Sequence, residues 1–156
     1  MTKTCKSWKS SRGGAFAVEA ALVIGTLLIL LFAIFEYARF IMIKQVVDNA
    51  TREGTRLALA ANVNDTNSFN YQTTTTIRNS VYAALGGQDQ ALTGLTVDVY
   101  LADSAGSNIG DWRNADVGQN IAVETNATYT PILPSFGFLP TSVPIFSKCV
   151  MRSEGN

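Results

Sequence analysis

The 156-residue sequence contains no histidine and only two cysteines, Cys5 and Cys149. Without an imidazole there is no histidine base for hydrolysis and no histidine ligand for a metal. Two cysteines at opposite ends of the chain exclude a disulfide-rich scaffold and a thiolate zinc cluster. Most hydrolase and metalloenzyme chemistry therefore lacks its usual residues. We predict no catalytic site, no cofactor and no metal.

The chain also lacks an excess of charge of either sign, because twelve Lys and Arg balance twelve Asp and Glu. A formal charge of zero removes the electrostatic argument for a nucleic-acid partner, and we predict none. The charges are unevenly placed, however, since four cations precede the first anion: Lys3, Lys6, Lys9 and Arg12. A basic stub, an apolar run and a mildly acidic remainder are typical of a membrane-inserted, exported protein.

The apolar run covers residues 15–35, and its only charged residue is Glu19. As a helix it would span roughly 32 Å, against about 30 Å of hydrocarbon in a bilayer. We predict a basic cytoplasmic leader at 1–14, a transmembrane helix at 15–36 and an extracytoplasmic domain at 37–156. A cleaved secretory signal is the less favoured alternative, because its apolar core would be about 7 to 15 residues long and end in small residues.

Glu19 is the most informative residue of this run. A carboxylate inside a membrane costs roughly 2.5–3.5 kcal/mol near the centre and less near an edge. In one interpretation Glu19 lies in the headgroup layer and extends to water. In the other, Gly13 and Gly14 form a flexible, open link at the membrane surface that suits a membrane-embedded peptidase. A cut after Gly14 would give Ala15 a new ammonium group, which could neutralise Glu19 of a neighbouring subunit.

These residues resemble the type IV pilin superfamily, in which a prepilin peptidase cuts after Gly and the fifth mature residue is Glu. Within it, the chain is most similar to the TadE-like pseudopilins, the minor pilins of the Tad (Flp) tight-adherence pilus system. The resemblance rests on five blocks: Arg12-Gly13-Gly14, Glu19-Ala20-Ala21-Leu22-Val23, Glu36-Tyr37-Ala38-Arg39-Phe40, Thr51-Arg52-Glu53-Gly54-Thr55-Arg56-Leu57-Ala58 and Met151-Arg152-Ser153-Glu154.

The resemblance implies a non-enzymatic structural subunit for an adhesive pilus, cut by a prepilin peptidase between Gly14 and Ala15, with Glu19 acting in assembly. The implied partners are the prepilin peptidase, other pilins and pseudopilins, the Tad pilus assembly machinery and membrane lipid. The implied location is the bacterial inner membrane, single-pass, with the N-terminus cytoplasmic, and then an extracellular pilus after incorporation. An uncleaved bitopic protein that carries a periplasmic binding or sensor module is the alternative function.

Beyond the membrane, small or apolar residues recur at steps of three and four: Phe40, Ile43, Val47, Ala50, Gly54, Leu57 and Ala61. They describe one helix face, so the membrane helix is predicted to continue to about residue 61. This face could pack against the chain's own domain or form a seam between subunits. The resemblance assigns Arg52, Glu53 and Gly54 to helix packing. Inside the membrane, close helix contact suits three small residues spaced by four: Ala17, Ala21 and Gly25.

The remainder predicts a pilin-like α+β domain. A shorter helix is expected at about 71–85, and alternating apolar residues predict antiparallel strands at about 95–101, 119–129 and 145–152. Residues 62–70 are polar and predict a turn. Four prolines between 131 and 144 predict an irregular loop, which is either a lid over the core or a contact to lipid or a partner.

No set of residues in the domain predicts catalysis. Ser147 and Lys148 are adjacent on a predicted strand and point to opposite faces, which defeats a Ser–Lys dyad. Acidic side chains between residues 103 and 116 could supply oxygen ligands to Ca²⁺, but their spacing matches no calcium loop.

Overall fold

The computed structural model describes residues 12–61, 73–132 and 140–153. Some predictions lie outside these residues: those for Lys3, Lys6 and Lys9, for the turn at 62–70, for Cys5 and Glu154, and for positions 133–139 of the proline loop. The side chain of Arg12 also lies outside the described part. The described chain divides between residues 37 and 38 into two compact units.

Helix α1 (Arg12–Ala61) is continuous over 50 residues. In the first unit its sequence is apolar on all sides, and in the second it is apolar only along one stripe. A helix that is apolar all round requires an apolar environment, whereas a stripe requires one packed face. The helix begins before the predicted start at residue 15, so Gly13 and Gly14 lie in its first turn rather than in a flexible link.

The second unit has the predicted α+β architecture. Its sheet has four antiparallel strands in the order β2-β1-β3-β4: β1 (Leu92–Ala102), β2 (Asn108–Gly110), β3 (Asn120–Tyr129) and β4 (Val143–Arg152). The three long strands correspond to the three that were predicted. Strand β2 was not predicted, and its three residues are all exposed, so no alternation of buried and exposed positions marks it.

Helix α2 (Thr74–Ala84) is shorter than the predicted helix. Its threonine-rich start, unfavourable inside a helix, supplies the N-cap, because the Thr73 hydroxyl accepts a hydrogen bond from the Thr76 N–H at 3.2 Å. The helix is followed by Gly86 and Gly87, which have φ values of +58° and +84° that glycine adopts at little cost.

The core of the second unit lies between the two helices and the inner face of the sheet. The α1 stripe packs there, which fits the first of its two predicted uses. Fully buried or nearly so are Ile43, Val47, Ala50 and Ala58 of α1, Ile77 and Val81 of α2, and Ile121, Val123, Ala127 and Tyr129 of β3. The β3 members alternate along the strand, as the sequence pattern predicted.

Gly54 is a point of close approach between α1 and its neighbours. A Cβ built there would overlap the Cγ2 of Val81 and would lie 3.7 Å from the Cγ1 of Val123. The absence of a side chain at this position therefore lets α1 pack closely against both α2 and β3.

The outer face of the sheet carries a second, smaller cluster around Tyr100. The Tyr100 hydroxyl donates to Glu124 Oε2 at 2.8 Å, and the Lys148 Nζ lies 3.8 Å from the same oxygen. Burial raises the pKa of the Tyr100 phenol. The phenol of Tyr100, together with the charge of Glu124, raises the pKa of Lys148. Ser147 is buried on the opposite face, so the neighbouring serine and lysine are separated by the strand.

Replacing Gly54 with Ala should lower the free energy of unfolding by about 1–2 kcal/mol. Overpacking costs about 1–3 kcal/mol, which exceeds the helix propensity that Ala gains over Gly. The loss should shrink in a Val81→Ala background, where the overlapping methyl group is absent. Chemical denaturation in detergent micelles measures the free energy of unfolding of the wild type, the two single variants and the double variant.

Gly25→Ala is the matched control, because a Cβ there meets nothing within 4 Å. An equal loss of stability at Gly25 and Gly54 would contradict the packing argument.

Candidate membrane anchor and assembly site

Among the described residues, one helical segment, Gly14–Ala60, is long and apolar enough by length and composition to cross a membrane. Its most apolar 18-residue window has a mean hydropathy of 2.6, and none of that window is buried against the chain. Exposed side chains follow one another around the helix, from Phe16 at 74% to Phe35 at 63%. An apolar surface of this extent is stable in lipid or against other apolar helices.

Two polar side chains interrupt this surface, and they differ in how they are satisfied. The Thr26 hydroxyl donates to the Leu22 carbonyl at 2.9 Å, so its proton is used within the helix. Glu19 is exposed, and no ion partner lies near it among the side chains that the structure describes. A charge without a partner on an apolar helix is the feature that sets this segment apart from an ordinary anchor.

The predicted processing residues lie at the start of α1. Gly14 and Ala15 are exposed, and a Cβ at Gly14 would meet nothing within 4 Å. The peptide bond between them belongs to the first helical turn, whose N–H groups have no partner within the helix. Glu19 follows Ala15 by four residues and therefore lies on the same side of the helix.

The residues assigned to helix packing separate into two groups. Ala17 and Ala21 are exposed and Gly25 is half-buried, with nothing within 4 Å of a Cβ at Gly25. Gly54, in contrast, is buried in the core of the second unit, while Arg52 and Glu53 are exposed beside it. Ala17, Ala21 and Gly25 are therefore accessible to another helix, whereas Gly54 already packs against residues of its own chain.

The second unit holds its end of α1 through Tyr129, a residue to which the sequence pattern gave no role beyond the strand. The Arg39 Nη1 donates to the Tyr129 Oη at 3.2 Å, and the guanidinium carbon lies 5.6 Å from the ring centroid. The Phe40 ring tilts against the same tyrosine at a centroid distance of 5.6 Å. Arg39 and Phe40 end one of the blocks quoted above, which was the available signal for this contact.

Together, the fold and this segment define a class of protein: an α+β domain whose first helix continues from a segment of membrane-spanning length that carries one acidic residue near its start. Residues 14–56 match the model of the family described as TadE-like protein. The match confirms the predicted resemblance and relates the chain to the pilin-like, structural components of Tad pilus systems. It covers most of α1 and does not reach the strands or the block at 151–154. Searches of curated proteins and of solved structures found no match.

Tyr129→Phe should lower the free energy of unfolding by about 0.5–1.5 kcal/mol, because it removes the hydroxyl that accepts from Arg39 and keeps the ring. A double-mutant cycle with Arg39→Gln should show a coupling energy of similar size. Denaturation of the full chain in micelles provides the measurement. Tyr82→Phe is the control, since it removes a long, exposed hydrogen bond of 3.4 Å to the Leu95 carbonyl that does not involve Arg39. Additive effects at Arg39 and Tyr129 would refute the coupling.

Proposed function

We propose that this chain is a minor pilin, or pseudopilin, that serves as a non-enzymatic structural subunit in assembling a Tad/Flp-type adhesive pilus. The observation that carries the proposal is Glu19, which is exposed and has no partner among the described side chains, near the start of a helix segment that is otherwise apolar on every side. The TadE-like match to residues 14–56 includes this helix and supports the assignment.

In this proposal the helix spans the bacterial inner membrane once, with the N-terminus in the cytoplasm and the sheet domain in the periplasm. The four cations that precede Glu19 support this orientation, because cytoplasmic flanks of membrane helices are rich in Lys and Arg. Incorporation into a pilus then moves the subunit out of the bilayer. Its apolar helix would exchange lipid for the helices of other pilins and pseudopilins.

The proposal includes hydrolysis of the bond between Gly14 and Ala15 by a prepilin peptidase. That bond lies at an exposed helix start, where a Cβ added at Gly14 would meet nothing within 4 Å. Hydrolysis consumes a water molecule, gives Gly14 a carboxylate and leaves Ala15 with an ammonium group. The new charge lies four residues from Glu19 in sequence, at a comparable depth in the membrane.

We assign to Glu19 the role of pairing with the Ala15 ammonium of a neighbouring subunit. Two opposite charges in a medium of low dielectric constant attract strongly, and removing one partner of such a pair leaves an uncompensated charge. This pairing would set the axial position at which one subunit docks against the next.

Gly14→Leu should block processing, because a bulky side chain replaces the open position beside the cleaved bond. Gly25→Leu is the matched control, since its Cα is equally unobstructed and lies away from the bond. Intact mass of membrane-extracted protein, with and without the peptidase, distinguishes the forms. We expect wild type and Gly25→Leu to lose residues 1–14, and Gly14→Leu to keep them. A full-length wild-type protein in the presence of the peptidase would instead favour the uncleaved bitopic protein with a binding or sensor module.

Glu19→Ala should leave membrane insertion intact and reduce pilus assembly by on the order of 100-fold, since losing one partner of a buried charge pair costs about 3 kcal/mol or more. Thr26→Ala is the control, because the Thr26 hydroxyl is already satisfied by its own helix. Membrane fractionation measures insertion, and electron microscopy counts the pili. Normal numbers of pili in the Glu19→Ala strain would overturn the assigned role.

A further inference from the structure

The two edges of the sheet differ in how many of their outward backbone groups have hydrogen-bond partners. At the β1 edge, Arg78 Nε of α2 donates to the Val97 carbonyl at 2.6 Å, and Tyr82 Oη donates to the Leu95 carbonyl. Farther along the same edge, Leu101 pairs with β2. The outward carbonyls of Leu95 and Val97 are therefore covered by helix side chains and the end of β1 by a short strand, which hinders pairing of this edge with other chains.

Strand β4 forms the opposite edge, and among the described strands it pairs only with β3. Its register is fixed where the Ser153 N–H donates to the Gln119 carbonyl at 2.7 Å. Antiparallel strands alternate between residues that bond to the neighbour and residues that face away. Counting back from Ser153, the backbone groups of Phe146, Lys148 and Val150 face away from β3. Within the described ranges none of these groups has a hydrogen-bond partner on that side.

The β4 edge lacks the protection that a projecting charge would give. Lys148 is the charged residue in this stretch, but its Nζ lies 3.8 Å from Glu124 Oε2 and 5.4 Å from the Tyr100 ring centroid. The ammonium is thus held over the outer face of the sheet rather than across the edge. Pro144 lies near the start of the strand, before the open positions. Residues 146–150 therefore present an accessible strand edge.

A polar groove runs beside this edge, between α1 and β4, with a volume of about 310 Å³. Its α1 wall carries Lys44, Asp48 and Arg52, one turn apart, and its β4 wall is residues 146–149. The helix wall is about 12 Å long and the strand wall about 10 Å, which matches three or four residues of extended chain. Because the Lys148 ammonium is held over the outer face, the α1 wall sets the charge of the groove with two cations and one anion, and we call it the basic α1–β4 groove.

We propose that the basic α1–β4 groove binds an extended, acidic segment of a partner protein, which adds to β4 as a fifth strand. The backbone groups of β4 would supply the main-chain hydrogen bonds of strand addition, and the cations would select an acidic sequence. Phe146 and Val150, which are 55% and 40% exposed, would flank the added strand on its outer face.

A second copy of β4 is a poorer occupant than an acidic segment. Strand β4 contains Lys148 and Arg152 and no acidic residue. Pairing two β4 strands would bring these cations and those of Lys44 and Arg52 together, and like charges opposed across strands are destabilising. The inference concerns the second unit alone and does not depend on processing or on pilus assembly.

The test uses the full chain in nanodiscs of zwitterionic lipid, so that no anionic headgroup competes. The probe is a nine-residue capped peptide that alternates Thr and Glu, and the matched control peptide alternates Thr and Lys. Amide hydrogen exchange is read at single residues. We expect the Glu peptide to slow exchange at Phe146, Lys148 and Val150 by at least about 10-fold and the Lys peptide to leave it unchanged.

A second experiment reverses the charge of one residue of the groove. Arg52→Glu should remove most of the protection, whereas Arg56→Glu, an exposed position on α1 outside the groove, should retain it. Unchanged exchange at Ile121 and Val123 verifies that each variant is folded. Equal protection by the two peptides, or none by the Glu peptide, would overturn the proposal. Protection that appears without peptide and rises with protein concentration would identify a second copy as the occupant and would equally overturn it.

Discussion

One helix must satisfy two different environments, and the rest of the structure depends on this constraint. Helix α1 is assigned from Arg12 to Ala61. Its first part is apolar around the whole circumference, so that a bilayer or other apolar helices can surround it. Its second part is apolar along one stripe, which packs on the sheet, and polar elsewhere. The two parts of α1 therefore differ in their side chains and share one continuous helix.

Close packing of the second part of α1 depends on residues that are small or that satisfy their own polar groups. Gly54 leaves room for Val81, as described above. Thr51 is fully buried, and its hydroxyl lies 2.8 Å from the Val47 carbonyl and 2.9 Å from the Thr125 hydroxyl. Because a buried hydroxyl without a partner costs about 1–3 kcal/mol, this pair lets α1 approach β3 without a polar penalty. The helix thus meets the sheet at short range over its buried stripe.

The sequence could predict the elements whose residues repeat with a regular period, and it could not predict contacts between distant segments. The α1 stripe and the alternation of β3 are local patterns, so the α+β fold followed from them. Strand β2 has too few residues for a pattern. The contact of Arg39 with Tyr129 joins residues 90 positions apart, and the hydrogen bond from Arg78 to the Val97 carbonyl joins a helix to a separate strand. In the anchor, the position of Glu19 was readable because a charge stands out in an apolar run.

Glu19 and the outward backbone groups of β4 have no partner within the described residues, and the two cases differ in free-energy cost. The outward backbone groups of β4 face water, which forms hydrogen bonds with them, so an unoccupied edge is stable and a partner can bind and leave. The Glu19 carboxylate has no such substitute when its helix lies in lipid, where a charge costs roughly 2.5–3.5 kcal/mol near the centre. The sheet edge therefore suits a partner that binds reversibly. Glu19, in contrast, requires a partner for as long as its helix lies in lipid. The difference follows from the solvent around each group rather than from the strength of the bonds that each could form.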